Sequence, residues 1–448
     1  MGKLAVLMIT AFVDMVGLLM VLPLLPFYAQ RLGASGLVVG MLVSSFSIAQ
    51  LLSAPIWGRF SDRYGRRPAL LVGLTSSAIA YVVFAYADSL WLLFLSRIVQ
   101  GAGGGTVGVI QAYVADALPP NERAKGLGWL SAATNAGVAL GPVIGSATAV
   151  AGYAGPGLVA AALCVVNIGF AWRFLHESRD MSEAHGMPQK KGRSREAVAQ
   201  VVTHPGEPAS RLIWIYAIGM GAFHGANAVL ALFLADRYGV TERTIGFFFM
   251  YIGTIAVLTR ALVLGRAVDR FGEARLARVG IVILALGLAA LPFTPMVAGA
   301  GEAARAAGGI LAAARAHLLP YVPLAVAVAL IPLGTAFTFP CVTALLSRIV
   351  SSSERGLYMG VQQTFGGASR AVFPVLFGVL FDRAGIGVPF WTSAAFVLFT
   401  LALGGGLEGY VHQAKAVATS QPVPPAPVPP PAAAPPAPAP PRPNEAAS

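Results

Sequence analysis

Charge is what this chain has least of. Asp, Glu, Lys and Arg together make up 11% of its 448 residues, against about a quarter in soluble domains, too little to cover a water-exposed globule. Cysteine is nearly absent as well. Cys164 and Cys341 stand alone in separate apolar stretches, which excludes a disulfide framework and a metal-ligand spacing. The six histidines form no HExxH pattern, and CxxC pairs and the GxxxxGK[ST] phosphate loop are missing too. "GAGGG" from Gly101 imitates a dinucleotide turn, but it lies inside an apolar run with no strand before it, so it reads as a site of close helix approach. No hydrolytic or nucleotide chemistry emerges from these patterns, so an ion gradient rather than ATP is expected to drive any transport. No enzyme, cofactor or metal is expected.

Apolar residues, at 56% of the chain, fall in runs of about 20, the length that crosses a bilayer core. Twelve spans are predicted: near 4–28, 37–57, 69–87, 91–115, 127–150 and 155–175, then near 210–235, 244–264, 276–298, 319–346, 357–380 and 386–411. The fold class is therefore an all-α membrane protein with twelve transmembrane helices. Its expected parts are an N-terminal six-helix bundle (1–175), a linker (176–209), a C-terminal six-helix bundle (210–411) and a Pro/Ala-rich tail (412–448). The first run follows Lys3 and is too long and too polar at its middle for a cleaved signal sequence, so it reads as a retained span.

A net charge of +12 suggests nucleic acid only when it is clustered; here the basic residues are spread over short loops, where they set membrane orientation. Arg59, Arg63, Arg66 and Arg67, Arg123 and Lys125, and Arg266, Arg270, Arg275 and Arg278 share one side with the linker. That side is expected to face the cytoplasm and to carry both termini, in the inner (cell) membrane. The asymmetry is imperfect, because Arg237, Arg243, Arg305, Arg315 and Arg383 lie opposite. Residues 299–317 read as an enlarged external loop. The Pro/Ala run from Gln421 reads as an extended, mobile tail, either dispensable or a docking site for a partner.

The two halves repeat each other. Gly58 to Gly65 reads GRFSDRYG and Gly265 to Gly272 reads GRAVDRFG, while Glu122, Arg123 and Gly128 keep the spacing of Glu354, Arg355 and Gly360. The offsets are 207 and 232 residues, and the excess matches the extra loop around 299–317. Paired bundles of this kind place a substrate path at their interface and expose it alternately to either side.

GRFSDRYGRRP between spans two and three, with its degenerate copy after span eight, resembles the major facilitator superfamily. "LSRIVQGAGGG" in span four and "GWLSAATNAGVALGPVIGS" in span five are similar to the twelve-span drug:proton antiporter branch, and "FVDMVGLLMVLPLLPFYAQ" in span one to tetracycline-efflux-type proteins. The span-five signature is matched by Gly128, Gly137, Gly141, Pro142 and Gly145, with Ser146 in place of its final Gly. The resemblance implies two six-helix bundles and proton-coupled antiport. It also implies a conformational latch made by Gly58, Asp62, Arg63, Gly65, Arg66 and Arg67, in which Asp62 meets the start of span eleven near Leu357 and Asp116 holds a loop arginine. Asp269 and Arg270, between Gly265 and Gly272, form the weaker copy. A topology anchor is the alternative.

Gly137, Gly141 and Gly145 recur at every fourth position, so they line one helix face and let another helix approach; Pro142 removes a donor and bends the helix. That is either a packing seam or, as the resemblance implies, a bend biasing the protein toward export. Asp14 lies about ten residues into span one, roughly 15 Å deep, where a bare carboxylate is costly. Arg97 is its expected partner, either as a fixed ion pair or as a switch whose movement loads and releases a proton. His224 and Asn227 lie one turn apart in span seven, as core residues or a relay. Arg260 and Arg370 have no evident acid nearby and favour an anionic or zwitterionic substrate, though Arg260 is also placed to snorkel toward the loop. Gln100, Gln111, Gln362 and Gln363 complete the candidate pathway.

Three functions fit: a proton-coupled exporter of a small amphipathic compound or metabolite; an importer or facilitator of a nutrient or anionic metabolite; and a non-transporting sensor or scaffold using the tail. The expected partners are a small-molecule substrate, protons and the lipid bilayer, with no nucleic acid and a monomer as the functional unit.

Overall fold

A computed structural model describes residues 3–177, 193–295, 321–351 and 354–405. In a bilayer every backbone polar group must find its partner internally, and helices do this within one segment. Among the described residues eleven helices are long and apolar enough to cross. They are span 1 (Leu4–Arg31), span 2 (Gly36–Tyr64), span 3 (Arg66–Ala85), span 4 (Leu90–Ala117), span 5 (Lys125–Ala151) and span 6 (Ala154–Phe174), then span 7 (Pro208–Tyr238), span 8 (Ile245–Phe271), span 9 (Glu273–Phe293), span 10 (Val322–Ile349) and span 11 (Arg355–Ala384). Span 12 is the shorter apolar helix Val388–Leu403; its sequence-predicted end near 411 lies outside the described residues. So do the 299–317 loop, the tail and most of the linker before its helix Arg193–Thr203.

Spans 1 to 6 pack among themselves, as do spans 7 to 12. The halves meet chiefly along two helix pairs, span 2 with span 11 and span 5 with span 8, and span 7 also touches spans 1 and 2. In repeat terms each pair joins the second helix of one half to the fifth of the other, the arrangement a pseudo-twofold axis produces. Cys164 and Cys341 are buried, one in each half, and free.

Three spans are interrupted. Span 1 turns at 22–24, span 4 at 103–105, and span 8 widens into a π-helix over Thr259–Val263. The break in span 4 frees backbone carbonyls, which cannot stay unpaired in a bilayer. Span 2 supplies the donors: Gln50 Nε2 reaches the Gly104 carbonyl at 3.1 Å, Ser53 Oγ that of Gly101 at 3.4 Å, and Trp57 Nε1 that of Ala102. A Cβ at Gly101 would lie 2.3 Å from the Phe46 carbonyl oxygen. The Gly-rich run is thus the close helix approach read from the sequence.

The halves are tied at one end and apart at the other. Away from GRFSDRYGRRP, Arg31 pairs with Glu242 at 2.7 Å, and Gly246 N–H donates to Ser146 Oγ at 2.9 Å. At the GRFSDRYGRRP end, a Cβ on Gly58, Gly128, Gly265, Gly356 or Gly360 would meet nothing within 4 Å, and Leu52 and Ile56 are exposed.

Candidate functional site

Asp14 lies on span 1, buried, at the wall of a cavity of about 420 Å³. Gln111 of span 4 and Ser131, Thr134 and Asn135 of span 5 line it with Asp14, and Arg260 of span 8 closes it from the other half. Thr106 Oγ1 donates to Asp14 Oδ2 at 2.9 Å.

The expected ion pair between Asp14 and Arg97 is absent. Arg97 is 1% exposed, none of its three guanidinium nitrogens has a hydrogen-bond partner, and its guanidinium carbon lies 5.7 Å from the centroid of the Phe84 ring. The break in span 4 explains this. Arg97 precedes it and Thr106 follows it, about 13 Å further along at helical rise, and Thr106 is the one level with the carboxylate. Tyr81 is within electrostatic range of both Asp14 and Arg97. Its hydroxyl accepts from Gln100 Nε2 at 2.7 Å. A charge that is buried and unpaired costs several kcal/mol, so Arg97 is held at a cost.

Arg260 does not snorkel toward the loop. Its Nη1 donates to Asn135 Oδ1 at 3.0 Å across the halves, and Asn135 Nδ2 donates to the Ser131 carbonyl at 2.7 Å. The remaining pathway expectations separate from this cavity. His224 and Asn227 border an enclosed space of about 30 Å³ with Pro23, Pro26 and Val43, about one water in size. Gln362 is fully buried, accepting from Thr343 at 3.2 Å, and Gln363 donates to Tyr216 at 3.4 Å. Arg370 sits beside Gly367 and in charge range of His224. Of the eight pathway residues read from the sequence, Arg260 and Gln111 border the large cavity.

The latch residues arrange differently from expectation. Asp116 does hold a loop arginine, with Arg66 Nε to Asp116 Oδ2 at 2.9 Å. Asp62, however, pairs with that same Arg66 at 3.0 Å within its own half, and no hydrogen bond joins it to the backbone at Leu357 among the described residues. The reason is the separation of the halves at this end. The carboxylate at a nearby helix start is Glu177 instead, which accepts from Arg66 N–H at 2.9 Å and Arg67 N–H at 3.0 Å. Arg63 and Arg270 lie over neighbouring rings at 5.5 and 5.9 Å, and neither Asp269 nor Arg270 forms an ion pair among the described residues. Gly65 and Gly272 take φ of 103° and 76°, a turn that favours glycine.

One acid that joins the halves escaped the sequence reading. Asp382, at the far end of span 11, accepts from Gly36 and Leu37 N–H, both at 2.8 Å, at the start of span 2. A signal existed, because Gly378, Asp382, Arg383 and Gly385 repeat the spacing of Gly58, Asp62, Arg63 and Gly65.

In span 5, Cβ atoms at Gly137, Gly141 and Gly145 would come 2.6, 2.8 and 2.3 Å from the carbonyl oxygens of Phe12, Val16 and Met20 on span 1. The packing seam is therefore real, and Gly128, with nothing within 4 Å, is outside it. Pro142 lies inside the helix and its carbonyl abuts Gly246 of span 8. Ser146, where the resembling motif has Gly, supplies the hydroxyl that accepts from Gly246.

Comparison with known proteins follows the same lines. The chain is 25% identical over 405 residues to multidrug resistance protein 2 of Bacillus subtilis (strain 168), covering 90% of this chain and 93% of the relative. It is 31% identical over 296 residues to the class C tetracycline resistance protein of Escherichia coli, covering 65% and 74%. Among solved structures it resembles the human organic anion transporter MFSD10 (TETRAN), with a TM-score of 0.63 at 22% identity over 90% of this chain and 98% of that one. The nucleoside transporter NupG gives a TM-score of 0.67 at 15% identity, over 92% and 99%; at such identities the likeness speaks to fold alone. The sequence profile described as Major Facilitator Superfamily matches residues 7–304. With twelve helices in two bundles and a match over that length, the chain belongs to the Major Facilitator Superfamily.

Proposed function

We propose that this transporter is a proton-coupled exporter of a small amphipathic compound, working by alternating access, and that Asp14 carries the proton. The observation that carries the reading is Asp14 itself: a buried carboxylate on a cavity between the halves, held by one side-chain hydrogen bond from Thr106 and by no arginine. A neutral hydroxyl leaves room for the acid to gain and lose a proton without breaking a salt bridge. The multidrug and tetracycline resistance relatives support export over uptake.

The positive-inside rule puts the GRFSDRYGRRP end in the cytoplasm, so the described arrangement is open inward and sealed outward. Asp62 would then engage span 11 only in the opposite state. The test is flux from proteoliposomes under imposed pH gradients. Exchange of substrate against protons supports the reading, and downhill, pH-independent uptake supports a facilitator instead.

A further inference from the structure

Arg260 is a fixed positive charge with an unfinished coordination shell. It sits on the large cavity, in the π-helical turn Thr259–Val263, a helix variant rare enough to mark functional positions. Nη1 is engaged by the Asn135 carbonyl, a neutral acceptor that cannot balance the charge; Nε is buried with no hydrogen-bond partner. Among the described residues no carboxylate lies within 4 Å of this guanidinium. Asp14 shares the cavity but is turned to Thr106. The rest of the wall mixes the apolar side chains Met15, Ile110, Leu127 and Leu130 with the neutral polar ones Gln111, Ser131 and Thr134.

We infer that Arg260 is the recognition point for an organic anion: a carboxylate or sulfonate on an apolar body of drug-like size. A cavity of about 420 Å³ lies in the range of small-molecule sites. A planar guanidinium with free N–H groups matches a two-oxygen anion. The apolar side chains of the wall favour an organic body over a small hydrated inorganic anion. The class rests on the reading of this cavity as the transport site. Its residues differ from those proposed to move the proton, so substrate charge and proton coupling are separable.

The experiment is binding to purified protein in nanodiscs at constant chloride, read by thermal stabilisation. The probes are 1-naphthylacetate, 1-naphthylacetamide and 1-naphthylmethylammonium, alike in body and different in charge. The carboxylate should bind about tenfold more tightly than the amide, the scale of a charge-assisted hydrogen bond, and the ammonium more weakly still. Arg260→Gln should remove the preference and Arg260→Lys should retain part of it, with proton flux read separately in Asp14→Asn. Equal binding of the amide or ammonium by the native protein, no binding of any probe, or a preference that survives Arg260→Gln overturns the assignment.

Discussion

Asp382 of span 11 accepts two backbone hydrogen bonds, each 2.8 Å, from Gly36 and Leu37 at the start of span 2. The two helices run antiparallel along the interface of the halves, each with an Asp-Arg pair near its C-terminal end. A carboxylate at a helix start satisfies orphan N–H groups and meets the positive end of the helix dipole. Span 11 therefore clasps span 2 at one end, and on the alternating-access reading proposed above Asp62 would do the converse at the other end.

Loss of this clasp should shift the conformational balance. Asp382→Ala removes a helix-capping interaction of about 0.5–2 kcal/mol, which corresponds to roughly a twofold to thirtyfold change in the ratio of states. In a Gly58→Cys background, reaction with a membrane-impermeant maleimide should slow in proportion to the lost open fraction, by up to that factor, because the end carrying Gly58 spends less time open. An unchanged labelling rate would show that the two N–H bonds do not stabilise this state.

The span 1 and span 5 seam makes a contrasting pair of predictions. Gly145→Ala places a methyl 2.3 Å from the Met20 carbonyl oxygen, overpacking that should cost about 1–3 kcal/mol and lower the thermal unfolding midpoint in detergent. Gly128→Ala meets nothing within 4 Å and gains helix propensity of up to about 1 kcal/mol, so its midpoint should stay or rise.

If the exported compound is a monoanion, each proton entering and each anion leaving moves charge in the same sense. Two charges then cross per cycle, and an inside-negative potential of about 100 mV contributes about 4.6 kcal/mol to export. Potassium–valinomycin potentials across proteoliposomes should therefore speed export when the interior is negative. Indifference to potential would indicate one-for-one exchange of a proton with a cation.

The fold was legible because membrane helices announce themselves by length, and the repeat because GRFSDRYG and GRAVDRFG lie at equivalent places. The glycine seam followed from spacing alone. What sequence could not reveal was how far along a helix a partner sits. Arg97 and Thr106 belong to one apolar run, and only the break at 103–105 determines which is level with Asp14. Nor could it reveal which carboxylate caps which helix: Glu177, just past span 6, caps span 3 and Asp382 caps span 2, while Asp62 pairs with Arg66. Arg260 and Asn135 are 125 residues apart, a pairing that exists only across the assembled halves.

The central claim is that the Asp14 carboxyl carries the coupled proton. Proton uptake by proteoliposomes, followed with an internal pH dye while substrate is exported, tests it most directly. Asp14→Asn keeps the side-chain oxygen that accepts from Thr106 but cannot ionise. The account predicts a folded protein that binds substrate and moves no protons with it. Proton-coupled export at the native rate in that variant would contradict it.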